Sequence, residues 1–226
     1  MQLSQIVSFE SFLYTAQSAD NLAGDLAAQR GRGGPIFLAL QPFYPSINAS
    51  GTNVFNLYAK WGSLQNATST AGAAQAAIAR GENLFNNRPM NISAVSGFND
   101  VLGQGLVVGT CGTCHNAPNV GSSSSPMMMD IGTSSPSVDL PAYTILCNNG
   151  AQIVTTDPGR ALNTGKCADL NKIKVPSLRG LAARAPYFHN GSSATLQEVL
   201  NFYDQRFNML LTDQEKSDLV AFLNSL

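Results

Sequence analysis

Charge is scarce in this chain. Of 226 residues, 13 are Lys or Arg and 14 are Asp or Glu, so 12% are charged and the formal net charge is −1, about half the charged share of an ordinary globular protein. No basic field is available to gather phosphates, which argues against nucleic-acid binding. No apolar run approaches the roughly 18–20 residues of a spanning helix, because Gly, Asn, Ser or a charged residue interrupts each one, so no membrane span is expected. Met1 to Leu13 lack a basic stretch, a clean apolar stretch and a small-residue cleavage site, so the expectation is that this chain carries no export signal. Histidine occurs twice and tryptophan once. What remains is 44% hydrophobic, which argues against disorder. A chain of this length hides roughly 70–75% of its unfolded surface, as one large domain or two small ones.

The four cysteines fall as a close pair, Cys111 and Cys114, and a looser pair, Cys147 and Cys167. His115 follows Cys114 directly, giving Cys-Gly-Thr-Cys-His, the c-type haem attachment pattern, which chance produces in about 6 of 10,000 chains of this composition. Two thiols three residues apart can each add to one vinyl group of a haem, and the adjacent imidazole then meets the iron from one side. His115 is therefore the candidate proximal ligand, and its other ring nitrogen should donate to a carbonyl, with Pro118 the expected acceptor. Two other uses of the cysteines compete. One is a zinc site of Cys111, Cys114, His115 and a third Cys, although a His directly after the second Cys is unusual for zinc. The other is a thioredoxin-like redox pair, which wants a βαβ context, whereas Gly103–Gly105 and Gly121–Ser125 read as loops.

Covalent haem attachment occurs outside the cytoplasm, so the expected location is periplasmic or otherwise extracytoplasmic. Either the leader lies outside this sequence or the chain is a piece of a longer one. An oxidising compartment also permits Cys147 and Cys167 to pair, closing a loop of about 20 residues for roughly 3 kcal/mol, against two free buried thiols.

Turn signals crowd the first seventy residues: Arg30 to Pro35, Gln41 to Pro45, and Asn48 to Gly51. Short helices are expected at Ser4–Gln17 and Val54–Leu64. A clear one follows at Ala71–Asn86, where Ile78, Gly81 and Phe85 share a face and Gly81 would admit a close crossing. Gly121 to Leu140 reads as a long irregular loop around Met127, Met128 and Met129. Thr195-Leu-Gln-Glu198 and Thr212-Asp-Gln-Glu215 are both capping boxes. Behind them, Leu196, Val199, Leu200 and Tyr203 form one stripe, and Leu219, Phe222, Leu223 and Leu226 another. The order of a helix, then Cys-x-x-Cys-His, then loops, then a terminal helix predicts a mostly α, cytochrome c-type haem fold with long irregular loops. Residues 71–226 would form the haem domain and residues 1–70 an N-terminal extension packed on it.

The run from Val175 to Ser192, containing Pro186-Tyr-Phe-His189, with Asp157-Pro-Gly-Arg160 before it and the Tyr203 helix after it, resembles the bacterial dihaem cytochrome c peroxidase family. It is most similar to the branch that includes the dihaem enzyme maturing methylamine dehydrogenase. The resemblance is specific from about Ala71 onward. It implies two c-type haems in two domains, a peroxidatic one and an electron-transfer one. Here there is a single attachment motif whose neighbours match the second, electron-transfer domain. The peroxidatic haem would then lie on another chain or upstream of Met1, or this chain works as a monohaem unit.

The resemblance also places the distal ligand fourteen residues after the His of Pro-Tyr-Phe-His, a Met in the peroxidases and a Tyr in the methylamine branch; here it is Tyr203. A core tyrosine is the competing role, and Met209 is the alternative ligand, followed by Met127, Met128 and Met129. A His/Met pair suits an electron carrier, whereas a phenolate favours ferric and higher states. By resemblance His189 lies beside the haem, bonding a propionate or backbone rather than iron. Arg160 and Arg179 are candidates to pair the propionates, with surface arginine as the competing role for each; Trp61 has no assignable role beyond core packing. The leading expectation is a c-type cytochrome domain with one covalent haem, transferring electrons to a redox partner protein or a second haem domain within a peroxidase-like system. The alternatives are a stand-alone haem peroxidase or oxidase acting on hydrogen peroxide, and a haem-dependent structural or sensor module. Acidic residues are sparse around the motif, Asp100 and Asp130 being nearest, and a peroxidase wants a distal acid or base, which favours electron transfer.

Overall fold

The computed structural model describes residues 2–11, 16–41 and 54–226. In chain order the elements are α1 (Gln2–Ser11), β1 (Ala19–Asp20), β2 (Gly24–Asp25), α2 (Pro35–Leu40), α3 (Thr70–Asn87), β3 (Met90–Ser93), α4 (Asn99–Leu102), β4 (Leu106–Gly109), α5 (Cys111–Cys114), β5 (Met128–Met129), β6 (Tyr143–Leu146), β7 (Gln152–Thr155), α6 (Ala161–Thr164), β8 (Ile173–Lys174), α7 (Leu196–Phe207) and α8 (Asp213–Asn224). Short 3-10 helices lie at Ala28–Arg30, Ala59–Leu64, Cys167–Asp169 and Leu181–Ala183. The strands form antiparallel pairs, β1 with β2, β3 with β4, β5 with β8 and β6 with β7, joined by long stretches of irregular backbone. The loop expected from Gly121 to Leu140 is irregular except at β5, where Met128 faces Lys174 and Met129 faces Ile173.

Helices α3, α7 and α8 form the frame. Helix α3 starts at Ser69, whose hydroxyl accepts from the Gly72 N–H, and it crosses α8 at Gly81. A Cβ at Gly81 would stand 2.6 Å from the Phe222 Cβ and closer still to the Asp218 carbonyl, so only a residue without a side chain admits this approach. Arg80 pins the crossing with two bonds to Asp218, both 2.7 Å. Leu219, Phe222, Leu223 and Leu226 are all buried, so the stripe expected for α8 faces the core. On α7, Leu196 and Leu200 are buried, Val199 and Tyr203 are half-buried, and Phe207 completes the apolar face.

The two caps differ. At α8 the box is complete, with Thr212 accepting from the Glu215 N–H and Glu215 accepting from the Thr212 N–H. At α7, Thr195 accepts from the Glu198 N–H at 3.2 Å, but the Glu198 carboxylate reaches one residue further back, to the Ala194 N–H at 2.6 Å.

The segment before α3 departs from expectation. Residues 54–58 are irregular and bent rather than helical, and only Ala59–Leu64 coil, as a 3-10 helix. The reason lies on α3, where the buried Asn86 accepts from the Val54 and Phe55 N–H groups and Glu82 accepts from those of Leu57 and Tyr58. Donors satisfied by side chains some thirty residues away have no need of a helix of their own. Gln75, on the same face of α3, donates to the Ala23 carbonyl at 3.0 Å. Trp61 stacks on Tyr58 with ring centroids 4.7 Å apart and donates its indole N–H to the Ala28 carbonyl. Ala23, Leu26, Phe55, Tyr58 and Trp61 belong to one hydrophobic cluster with Ile78, Phe85 and Phe222.

The helix expected at Ser4–Gln17 is α1, which runs Gln2–Ser11; residues 12–15 lie outside the described ones. So do the expected turns at Gln41–Pro45, beyond Gln41 itself, and at Asn48–Gly51. Cys147, at the end of β6, is bonded to Cys167, as expected of an oxidising compartment. The bridge ties the β6–β7 hairpin to the 3-10 turn that follows α6.

Candidate functional site

The Cys-x-x-Cys-His motif forms α5 and its exit. Thr110 caps the single turn, exchanging side-chain and backbone bonds with Thr113. A Cβ at Gly112 would stand 2.7 Å from Val54 Cγ2, so the glycine between the two cysteines lets α5 lie flat on the segment that α3 clamps. The turn puts both thiols on the apolar cluster. Burial pushes the Cys111 thiol up to about 12 and that of Cys114 to about 11.

His115 closes the turn, its N–H bonded to the Cys111 carbonyl at 3.0 Å. Its Nδ1 lies 2.5 Å from the Gly121 carbonyl. A carbonyl only accepts, so Nδ1 carries the proton and Nε2 keeps its lone pair. Burial lowers the imidazole's proton affinity, outweighing the Gly121 and Pro176 carbonyls that raise it, which keeps the ring neutral. The expected acceptor, Pro118, is replaced by Gly121. The chain reverses at Asn119 (φ 55°), with Val120 and Gly121 both donating to the Ala117 carbonyl, and this brings the sixth residue back to the ring rather than the third. The Pro118 carbonyl is taken by the Gln41 side chain.

Tyr203 packs against the same cluster. Burial pushes its phenol well above the usual range, and the Cys114 and Cys111 thiols, close enough to act on it, push it further. Phe188, Phe202 and Phe207 surround the ring at centroid distances of 6.3, 5.5 and 5.8 Å. The hydroxyl of this half-buried residue has no protein hydrogen-bond partner among the described residues, unlike that of Tyr58, which donates to the Ser225 carbonyl. Met209 is buried at the α7–α8 turn, where Arg88 donates to its carbonyl at 3.0 Å. Met129 is buried and Met127 packs on the cluster.

The two arginines differ sharply. Arg160 is 41% exposed and pairs with Asp169 at 3.6 Å. Arg179 is 3% exposed and spends its Nε on the Asn119 carbonyl at 2.6 Å, in the loop that follows His115. Its Nη1 and Nη2 are buried without a partner among the described residues. Burial lowers its pKa to about 10. A buried guanidinium with two orphaned nitrogens calls for a carboxylate. His189 is engaged elsewhere, with Nε2 3.2 Å from Asp157 and 3.3 Å from Ser134. Asp100 and Asp130 are turned to backbone donors, those of Gly97 and Gly132.

These residues fit a c-type haem better than the competing uses of the cysteines. A zinc site needs a third cysteine, but Cys147 and Cys167 are bonded to each other. Among the described residues no group of three or more His, Cys, Asp or Glu is gathered to hold a metal ion. A thioredoxin-like pair needs a lowered thiol pKa, and here both thiols are raised. Two free thiols one turn apart, a neutral imidazole with its Nε2 lone pair unspent, an unbonded phenol and an orphaned guanidinium are what a haem with carboxylate arms would use. Each of these residues is recognisable in the sequence, but the support beneath them is not, since Asn86 and Glu82 read only as polar positions on a helix.

Comparison with known proteins agrees. Residues 174–210 match the family model described as RoxA-like, cytochrome c-like. A cytochrome c551 peroxidase of Nitrosomonas europaea is 34% identical over 140 residues, covering 61% of this chain and 35% of that protein. A cytochrome-c peroxidase of Denitromonas iodatirespirans is 42% identical over 78 residues (31% and 21%). A cytochrome c peroxidase of Escherichia coli is 37% identical over 79 residues (34% and 17%). The chain thus spans about a third or less of the length of these relatives.

Proposed function

We propose, from the match to a cytochrome c-like family model and the similarity to cytochrome c peroxidases, a protein that binds one haem and passes single electrons within a peroxidase-like system. The haem supplies the change of iron valence. Cys111 and Cys114 are the residues that would hold it through their thiols, and His115 would offer Nε2 to the iron while Nδ1 stays fixed on the Gly121 carbonyl. Tyr203 would supply a second ligand and Arg179 would pair a propionate. Arg160 and His189 support the surrounding loops through Asp169 and Asp157, and Met209 serves the core. Residues 71–226 form the haem domain, with residues 1–70 an extension sharing its core through Leu26, Tyr58 and Trp61. The Cys147–Cys167 bond supports a periplasmic or otherwise extracytoplasmic location. Among the described residues no helix is long and apolar enough to cross a membrane. The electron partner is a separate redox protein or a second haem domain, with hydrogen peroxide as the final oxidant.

The observation that supports this reading is that Tyr203 packs on the same apolar cluster as Cys111 and Cys114, the two thiols that precede His115. A distal face filled by a residue of the protein itself favours electron transfer over peroxide chemistry at this iron. The test is the absorption spectrum of the haem-loaded protein, oxidised and reduced, with and without peroxide. A covalently held, low-spin haem indifferent to peroxide is expected, turning high-spin in Tyr203→Phe. A methionine–iron band would move the ligand to Met209 or the Met127–Met129 group. A high-spin haem consumed by peroxide would make the protein an enzyme in its own right.

A further inference from the structure

The near-zero net charge conceals a strong asymmetry. Residues 158–184 contain six basic residues and one acidic one, whereas the rest of the chain contains seven and thirteen. The single acid, Asp169, is shared between Arg160 at 3.6 Å and Lys172 at 4.0 Å. Asp100 lies within electrostatic reach of Lys172, and Asp157 is bonded to His189. Lys166, Lys174 and Arg184 are exposed and have no ion pair among the described residues.

This basic segment is also the wall of the candidate site. The Pro176 carbonyl acts on the His115 ring, Leu178 donates to the Val120 carbonyl, and β8 is paired with β5. Pro176 is exposed and His115 half-buried, so this edge brings solvent close to the imidazole. Lys174 and Arg184 flank it in sequence, and Ala182, Ala183 and Pro186, all exposed, offer small uncharged side chains over which another surface can approach closely.

We infer that the Pro176 edge, rimmed by Lys174 and Arg184 and backed by the basic segment from Arg160 to Lys172, is where an acidic redox protein docks to exchange electrons with the haem. The inference rests on the haem reading proposed above. Rim charges of one sign steer an oppositely charged partner and raise its association rate in a salt-dependent way. They do so locally, because at ordinary ionic strength the acidic remainder of the molecule is screened beyond about 10 Å.

The haem-loaded protein, reduced and then mixed with ferricyanide, tests this by stopped flow. Ferricyanide is a trianion, so oxidation should slow about threefold or more between about 100 mM and 1 M salt, where the acidic remainder is already screened, although the whole protein is weakly negative. A cationic cobalt–phenanthroline oxidant should show no such slowing. Lys174→Glu/Arg184→Glu should remove the salt effect and leave the absorption spectrum unchanged. A ferricyanide rate that is flat or rises with salt, with the haem spectrum intact, overturns the docking surface alone. Absence of a covalent haem signal overturns the haem reading, and this inference with it. Independently of the haem, a fluorescein-labelled polyglutamate peptide should bind the wild type at low salt and not the double variant. Equal binding by both, or co-sedimentation with phosphatidylglycerol vesicles without peptide binding, overturns the assignment to an acidic protein.

Discussion

Glu82 lies 3% exposed beneath the backbone of Leu57 and Tyr58, and burial pushes its carboxyl from the ordinary 4.5 up to about 7 against the N–H groups that pull it down. Because the native state holds this proton between those two values and the unfolded chain does not, stability falls as pH rises through that window. Above it the charged form costs about 3 kcal/mol. Glu82→Gln keeps an oxygen acceptor and carries no charge, so its denaturation midpoint should be flat from about pH 5 to 8 where the wild type declines; equal slopes in urea titrations would contradict this. Arg179 offers a second test. Arg179→Leu removes two unpartnered buried nitrogens but also the Nε–H bond to the Asn119 carbonyl, so these effects oppose each other and the unloaded protein should change in stability by no more than about 1–2 kcal/mol. The loaded protein should lose the carboxylate pairing instead, reported by a shift of its reduction potential. In the sequence both arginine candidates are visible as cations near a motif. That one is buried and the other pairs with Asp169 is not, because it depends on loop packing with no periodic signature.

Helices α3, α7 and α8 are legible in the sequence, since each combines an apolar stripe with a hydroxyl cap, and tertiary packing here agrees with local preference. The cap at α8 is complete, and Thr212→Ala should cost about 1 kcal/mol, a drop of roughly 2–4 °C in thermal midpoint for a chain of this size. At the α3–α8 crossing, Gly81→Ala gains helix propensity but drives a methyl into Asp218 and Phe222. It should lower stability by about 1–3 kcal/mol, in a melt read by circular dichroism. Residues 54–58 read as helical in the sequence but are irregular, because their hydrogen-bond partners sit on α3 and no local window contains both halves of that arrangement. The same blindness hides the shift of the His115 acceptor from Pro118 to Gly121, since a reversal at Asn119 is invisible to spacing.

On the scale of the whole molecule, the apolar cluster runs without a break from Ala23 through Trp61 to Leu226, while the lobe between β6 and β8 is tied back by the Cys147–Cys167 bond. Replacing both cysteines with serine should cost about 3 kcal/mol by the chain-entropy model, measured by chemical denaturation. That bond has a further consequence for how the protein comes to exist. Four cysteines can be joined completely in three ways, and this fold uses one half of one of them. Cys147 and Cys167 must be oxidised, whereas Cys111 and Cys114 must stay reduced until something other than a thiol claims them, both within one compartment. Maturation is therefore a sorting problem, in which an oxidant that helps one pair spoils the other. Counting accessible thiols under denaturing conditions should give two per chain before haem loading and none after it.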